Sequence, residues 1–238
     1  MRGRRLRAVA LVGGLALVLA GCDWPMFGYG PAHTRDNSHE TAVSVSNVGT
    51  LTQKWTAATG GQIYSSPSVA SGTVFVGSED GHLYAFDATG TTGCSGSPKK
   101  CSPLWKGSMG AATPGHSSPA VANGTVFIGG SDGRLYAFDA TGTAGCSGSP
   151  KVCVPRWTDT TGGFIYSSPT IVGGVVYVGS NDGRLYAFDA AGTTGCSGSP
   201  KVCTPLWSAQ AGTGTVESSP AVVGGTVYVG GSGGLYAF

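Results

Sequence analysis

Residues 65–105 read SSPSVASGTVFVGSEDGHLYAFDATGTTGCSGSPKKCSPLW, and this 41-residue unit returns as Ser117 to Trp157, as Ser167 to Trp207 and, cut short, as Ser218 to Phe238. A fixed period near 50 residues is the pattern of radially repeated sheets. Each unit reads as four short strands: A (about Ile63 to Val69), B (Thr73 to Gly77), C (His82 to Phe86) and D (Pro103 to Lys106), broken by clusters of Gly, Asp, Ser and Pro. Asp80-Gly81 supplies the positive φ that a tight B-to-C hairpin needs. In strand C, Leu83 and Ala85 point one way and Tyr84 and Phe86 the other, so both faces are apolar. A strand of that kind is sandwiched between neighbouring sheets. The expected fold is therefore all-β: a β-propeller of four-stranded antiparallel blades, with four repeats in this chain.

The chain begins with Arg2, Arg4, Arg5 and Arg7, followed by an apolar run from Ala8 to Ala20 that ends Leu19-Ala20-Gly21-Cys22. A basic start and an apolar run too short to span a bilayer make a secretory signal peptide. Leu-Ala-Gly-Cys resembles the lipobox of bacterial lipoproteins. That resemblance implies a lipid on Cys22 and an exported chain tethered to the outer face of the bacterial cytoplasmic membrane, on the periplasmic or cell-surface side. An ordinary signal peptide followed by a chance Cys is the alternative. Without residues 1–21, Lys plus Arg falls from 14 to 10 against 12 Asp plus Glu, and the net charge moves from +2 to −2. No basic cluster remains of the kind that nucleic acid requires.

Six further cysteines fall in pairs with six residues between: Cys94/Cys101, Cys146/Cys153 and Cys196/Cys203. In an exported chain a repeated local pair reads as one disulfide per blade, closing the C-to-D loop. Zinc is the weaker reading, because its knuckles prefer two to four residues between cysteines and need further ligands. Residues 22–50 form a non-repeating lead-in, with Trp24 and Phe27 expected to dock on the repeats at 51–238.

This lead-in, together with Ala85-x-Asp87-x-x-Gly90 and the later Trp105, resembles the PQQ-like β-propeller repeat family. The family's usual spacing puts Trp eight residues after the Asp, whereas Trp105 follows Asp87 by 18, the cysteine loop making up the difference. The resemblance implies one of two functions. Some members are assembly scaffolds at bacterial membranes, which points to a non-catalytic module that binds a protein or small-ligand partner. Others resemble quinoprotein alcohol dehydrogenases, which hold PQQ and calcium in the channel of an eight-bladed ring. Adjacent Cys-Cys and C-x-x-C-H are both missing from the sequence, so no cofactor is expected under the first reading. Trp55 sits in a D-type strand (about Thr52 to Thr56) that precedes any A strand, while the last unit stops after its C strand. Pairing these ends would close a four-bladed ring; a larger ring, or two copies making eight blades, are the alternatives.

Repeats separate scaffold from candidate site. The second and third units agree at 28 of 41 positions, whereas the Trp-to-Ser stretches run 10, 12, 10 and 11 residues. The variation therefore lies in the D-to-A loops, at one mouth of the channel. Tyr64, His116, Tyr166 and Glu217 stand just before each Ser-Ser, a candidate binding ring; ordinary drift of loop residues is the competing reading. His116, Asp159 and Glu217 are the ionisable residues there that do not repeat. Asp80, Asp132, Asp182 and Asp87, Asp139, Asp189 recur with the fold and read as turn and packing groups, with no catalytic residue among them. Changing Cys22→Ser is expected to move the protein from the membrane to the soluble fraction on cell fractionation; continued membrane retention would count against lipidation.

Overall fold

The computed structural model describes residues 23–238, so the expected signal peptide at 1–21 and Cys22 lie outside the described residues. After a 3-10 turn at Val48–Thr50 and strand β1 (Thr56–Ala57), the first unit forms β2 (Ser68–Ala70), β3 (Thr73–Ser78), β4 (His82–Asp87), β5 (Cys94–Ser95), β6 (Lys100–Cys101) and β7 (Trp105–Ser108). The second forms β8 (Ala120–Ala122), β9 (Thr125–Gly129), β10 (Leu135–Asp139), β11 (Cys146–Ser147), β12 (Val152–Cys153) and β13 (Trp157–Asp159). The third forms β14 (Thr170–Val172), β15 (Val175–Gly179), β16 (Arg184–Asp189), β17 (Cys196–Ser197), β18 (Val202–Cys203) and β19 (Trp207–Gln210). The fourth contributes β20 (Ala221–Val223), β21 (Thr226–Gly231) and β22 (Gly234–Ala237). Strands B and C lie where the sequence puts them. Strand A is shorter and strand D begins at its Trp, because Pro67 and Pro103 cannot donate to a ladder.

Three blades are antiparallel in the order A-B-C-D: β2-β3-β4-β7, β8-β9-β10-β13 and β14-β15-β16-β19. They stack through the two apolar faces of strand C. Leu83 and Ala85 pack with Tyr136 and Phe138 of the next blade; Leu135 and Ala137 pack with Tyr186 and Phe188; Leu185 packs with Val227 and Val229. Leu83, Leu135 and Leu185 are fully buried. Along the inner side the second Ser of each Ser-Ser-Pro links neighbouring A segments: Ser66 N–H donates to Ser118 Oγ (2.9 Å), Ser118 N–H to Ser168 Oγ (3.0 Å) and Ser168 N–H to Ser219 Oγ (2.9 Å).

All three cysteine pairs form disulfides within their own C-to-D segments, as the spacing predicts. The structure adds where those segments go. Each cysteine hairpin crosses to the preceding D strand and runs parallel to it: β6 on β1, β12 on β7 and β18 on β13. Two blades thereby become six-stranded sheets whose outermost hairpin belongs to the following unit. In every hairpin a lysine folds back, Lys99, Lys151 and Lys201 donating to the carbonyls of Gly90, Gly142 and Gly192 at 2.8, 3.3 and 3.0 Å.

The lead-in docks as expected and reaches further than one blade. Trp24 exchanges two backbone hydrogen bonds with Val69 (2.7 and 2.8 Å), Pro25 accepts from Val121, Pro31 accepts from Val222, and His33 Nε2 lies 3.1 Å from Thr170 Oγ1. It therefore touches strand A of all four units.

Closure by pairing the chain ends is not made. β1 bonds to β6, and β22 bonds only to β21, so among the described residues the last sheet has three strands. Trp55 packs on Phe86 and Gly90 of the first blade, and no pairing between its strand and β22 is seen among the described residues. A disulfide closing a loop of about eight residues stabilises by roughly 2 to 3 kcal/mol. Replacing Cys94 and Cys101 together by Ser is expected to lower the unfolding free energy in urea by about that amount, and non-reducing peptide mapping of the parent is expected to find each pair in one peptide.

Candidate functional site at the channel mouth

The B-to-C turns and the D-to-A loops lie together at one end of the blades, where the N–H groups of Glu79, Ser131 and Asn181 donate to the carbonyls of Gln62, Thr113 and Phe164. Their repeated carboxylates are spoken for. Tyr84, Tyr136 and Tyr186 donate their hydroxyls to Asp80, Asp132 and Asp182 at 2.5, 2.7 and 2.5 Å, and the backbone N–H groups of Gly60 and Gly162 donate to Asp80 and Asp182. Burial, then the hydrogen bond to Asp182, pushes the Tyr186 phenol up to about 12. At the opposite rim Asp87, Asp139 and Asp189 organise the C-to-D turns. Asp87 accepts from the backbone of Thr92 and the hydroxyls of Thr91 and Thr89, which hold its pKa well down; Asp189 is lowered by Thr193 and Thr194 in the same way. For Asp139, burial pushes up but donors from Ala144, Thr143 and Thr141 win, and Arg156 adds an ion pair at 2.8 Å. The repeated Asp residues are thus turn and packing groups, as their repetition implies.

Three of the four proposed mouth residues are brought together. The rings of Tyr64 and His116 are 5.5 Å apart and those of His116 and Tyr166 6.0 Å. The Tyr64 hydroxyl donates to Gln62, and Tyr64 is 55% exposed, so the ladder faces solvent. Glu217 stands outside it and accepts a hydrogen bond from Asn181 at 3.3 Å. Gly115 makes the contact between the second and third loops: its φ is +56°, and a Cβ there would come within 2.6 Å of the Tyr166 ring.

Phe164 was not singled out from the sequence. Its ring lies 5.6 Å from Tyr166, and it is 48% exposed, extending the ladder by one member. The signal was present, because the positions three before each Ser-Ser read Gln62, Pro114, Phe164 and Thr215, and they vary as much as the adjacent ones.

Asp159 is not on a mouth loop. It ends β13, fully buried, with Oδ1 accepting from the Leu135 N–H at 3.0 Å and Oδ2 without a hydrogen-bond partner. The corresponding residues are Gly107 and Ala209, small groups that fit between sheets. Burial drives its pKa well up, against the Leu135 N–H and with the charge of Asp132 adding to the rise. An unfolded Asp ionises near pH 4, roughly. The folded state keeps its proton longer, so this site's contribution to stability falls as pH rises above that value until the folded carboxyl itself ionises. Asp159→Asn, which cannot ionise, is expected to melt higher than the parent at pH 7, the two converging near pH 4. Equal melting temperatures at pH 7 would show that the folded carboxyl bears no such burden.

Solved structures share this fold at low identity. BamB from Moraxella catarrhalis is 19% identical with a TM-score of 0.55, covering 75% of this chain and 47% of that one. The quinohemoprotein alcohol dehydrogenase from Comamonas testosteroni is 20% identical with a TM-score of 0.66, covering 89% and 35%. The computationally designed Ika4 protein is 13% identical with a TM-score of 0.56, covering 79% and 97%. This chain thus spans about half the length of the BamB chain and a third of the dehydrogenase. No curated protein matches in sequence. The family model described as outer membrane protein assembly factor BamB matches residues 38–149 and 97–238, and the chain belongs to that family of PQQ-like propeller repeats.

Proposed function

We propose that the protein is a non-catalytic binding and scaffold module, exported and held by a lipid on Cys22 at the outer face of the bacterial cytoplasmic membrane, which presents its loop-bearing mouth to a partner. The observation that carries this reading is the exposed ladder of Tyr64, His116, Tyr166 and Phe164. Solvent-facing aromatics on a rigid frame anchor interfaces, because they bring a large contact area at little cost in side-chain freedom. The carboxylates that repeat around the channel are occupied in holding turns, and Asp159 is sealed between sheets. The family's description as an assembly factor agrees with this reading.

The likeness to the dehydrogenase raises PQQ with calcium as a second reading. The mouth residues do not fit that pair. Calcium takes six to eight oxygen ligands, several of them carboxylate. The four mouth positions offer one carboxylate, Glu217, beside two phenols and an imidazole.

A photo-crosslinking amino acid placed at Tyr64 in the cell is expected to give a discrete protein adduct, whereas the same probe at Val223, exposed at the far end of strand A, gives none. His116→Ala combined with Glu217→Ala is expected to weaken the adduct at least tenfold without altering the melting temperature, because both side chains are exposed. Adducts of equal yield at both probe sites, or none at Tyr64, would remove the mouth from consideration.

A further inference from the structure

Trp24 and Val69 exchange both backbone hydrogen bonds as an antiparallel bridge. The chain upstream of Trp24 therefore runs toward Ser71, at the A-to-B turn of the first blade. Asp23 follows that course, its Oδ1 accepting the Ser71 N–H at 3.1 Å. Successive Cα atoms are about 3.8 Å apart, so Cys22 lies within one residue's reach of Asp23 and its turn. No spacer separates the residue expected to carry the lipid from the folded body.

The two ends of the blades differ in chemistry. The A-to-B turns lie at one end of strand B and the B-to-C turns at the other. Equal positions of successive blades are neighbours, with Ser117 Oγ donating to the Ser167 carbonyl (2.9 Å) and Thr170 Oγ1 to the Pro220 carbonyl (2.5 Å), so the A-to-B turns form one row. Their tips read Ser71-Gly72, Asn123-Gly124, Gly173-Gly174 and Gly224-Gly225, all exposed and none charged. Val172 and Val223 beside them are exposed as well. Ala88, Ala140 and Ala190 pack there, donating their N–H groups to Gly72, Gly124 and Gly174. Asp87, Asp139 and Asp189 are turned into their own loops by threonine donors. Arg156 is paired with Asp139, and Lys99, Lys151 and Lys201 fold back onto backbone carbonyls. A recess of about 440 Å³ lies between the first two blades at this end, lined by Pro25, Ala70, Phe75, Val121 and Ala122, with Asp23 its one charged residue. The B-to-C turns, in contrast, carry Glu79, Asp80, Asp132, Arg134, Asp182 and Arg184.

We propose that the row of A-to-B turns is the surface on which the protein rests against the lipid bilayer, seated there by the short tether at Cys22, with the aromatic ladder directed away from the lipid. The inference rests on the lipidated Cys22 of the proposed function and adds the direction in which the folded body stands. Strand β3, six residues long, spans about 20 Å. The mouth therefore stands roughly that far from the headgroups. The opposite orientation would need Cys22 to bridge the same distance, whereas one residue reaches only about 3.5 Å. Charge favours the same side. Turns without ionised groups meet the headgroup layer at little desolvation cost, while the carboxylates and guanidinium groups of the B-to-C turns would lose water there.

The test uses the full chain, purified from the bacterial membrane and placed in phosphatidylcholine vesicles, some of whose headgroups carry a nitroxide quencher. A fluorophore is attached at one introduced thiol at a time: Val172→Cys and Val223→Cys at the A-to-B turns, Tyr64→Cys and Arg134→Cys at the mouth. All four positions are exposed, so the fold is expected to tolerate them. The nitroxide is expected to lower the emission at Val172 and Val223 at least twofold and to leave that at Tyr64 and Arg134 unchanged. Inserting a flexible Gly/Ser spacer between Cys22 and Asp23 is expected to keep the protein on the vesicles and to abolish most of that quenching; undiminished quenching would overturn the tether as its cause. Flotation of the unlabelled parent separates this inference from the reading beneath it. A parent that does not float with the vesicles removes the lipid and the orientation together. A parent that floats, but whose mouth probes are quenched as strongly as Val223 or whose turn probes are not quenched, overturns the orientation and leaves the lipid standing.

Discussion

The packing of an indole on a bare backbone, one blade to the next, is the contact that the arrangement depends on. Gly90, Gly142 and Gly192 have φ of +66°, +64° and +63°, and a Cβ at any of them would overlap the ring of Trp55, Trp105 or Trp157. Glycine is needed twice over, for the left-handed turn and for the space. Burying an indole withdraws about 200 Å² from water, on the order of 5 kcal/mol as an upper figure. The surroundings are arranged to keep it there. The cysteine hairpin lies along the strand that carries the Trp, and its lysine binds the carbonyl of the same glycine. The CSGSPK insertion that separates this chain from the usual spacing of its family is therefore a strap across the blade boundary.

Much of this was legible in the residues. The period, the two-faced Leu-Tyr-Ala-Phe strand and the Asp-Gly turn fix a stack of sheets, because a strand apolar on both sides has nowhere else to go. The pairing of Cys94 with Cys101 and its copies follows from local spacing in the same way. What the residues do not state is which neighbour a loop bonds to. That choice is tertiary: the parallel bridge from Lys100–Cys101 to Thr56–Ala57 is invisible in either segment alone. The same gap concerns Trp55. Its likeness to a D strand was readable, but the strand that its own segment bonds to, β6, was not.

The candidate site divides along similar lines. Comparing repeats correctly assigned the recurring Asp residues to turns, since a group present in every blade serves what every blade needs. Tyr64, His116 and Tyr166 converge because equal positions in successive loops of a stack are neighbours in space. Asp159 misled because it is equally singular in the sequence, yet it lies at the second residue after its Trp, a position that points between sheets, where the other units carry Gly107 and Ala209. Singularity marks a residue as unusual, and burial decides whether the unusual residue meets a ligand or another sheet.

The lead-in has a different importance. Units as alike as the second and third could, on their own contacts, exchange places in the stack at little loss, since each offers the next the same Leu, Ala, Tyr and Phe surface. Residues 24–33 end that degeneracy. Trp24, Pro25, Pro31 and His33 each meet a different unit through a different group, at Val69, Val121, Val222 and Thr170. A short stretch of sequence without internal repetition thus acts as an index for the repetitive remainder, giving each interchangeable part a fixed address.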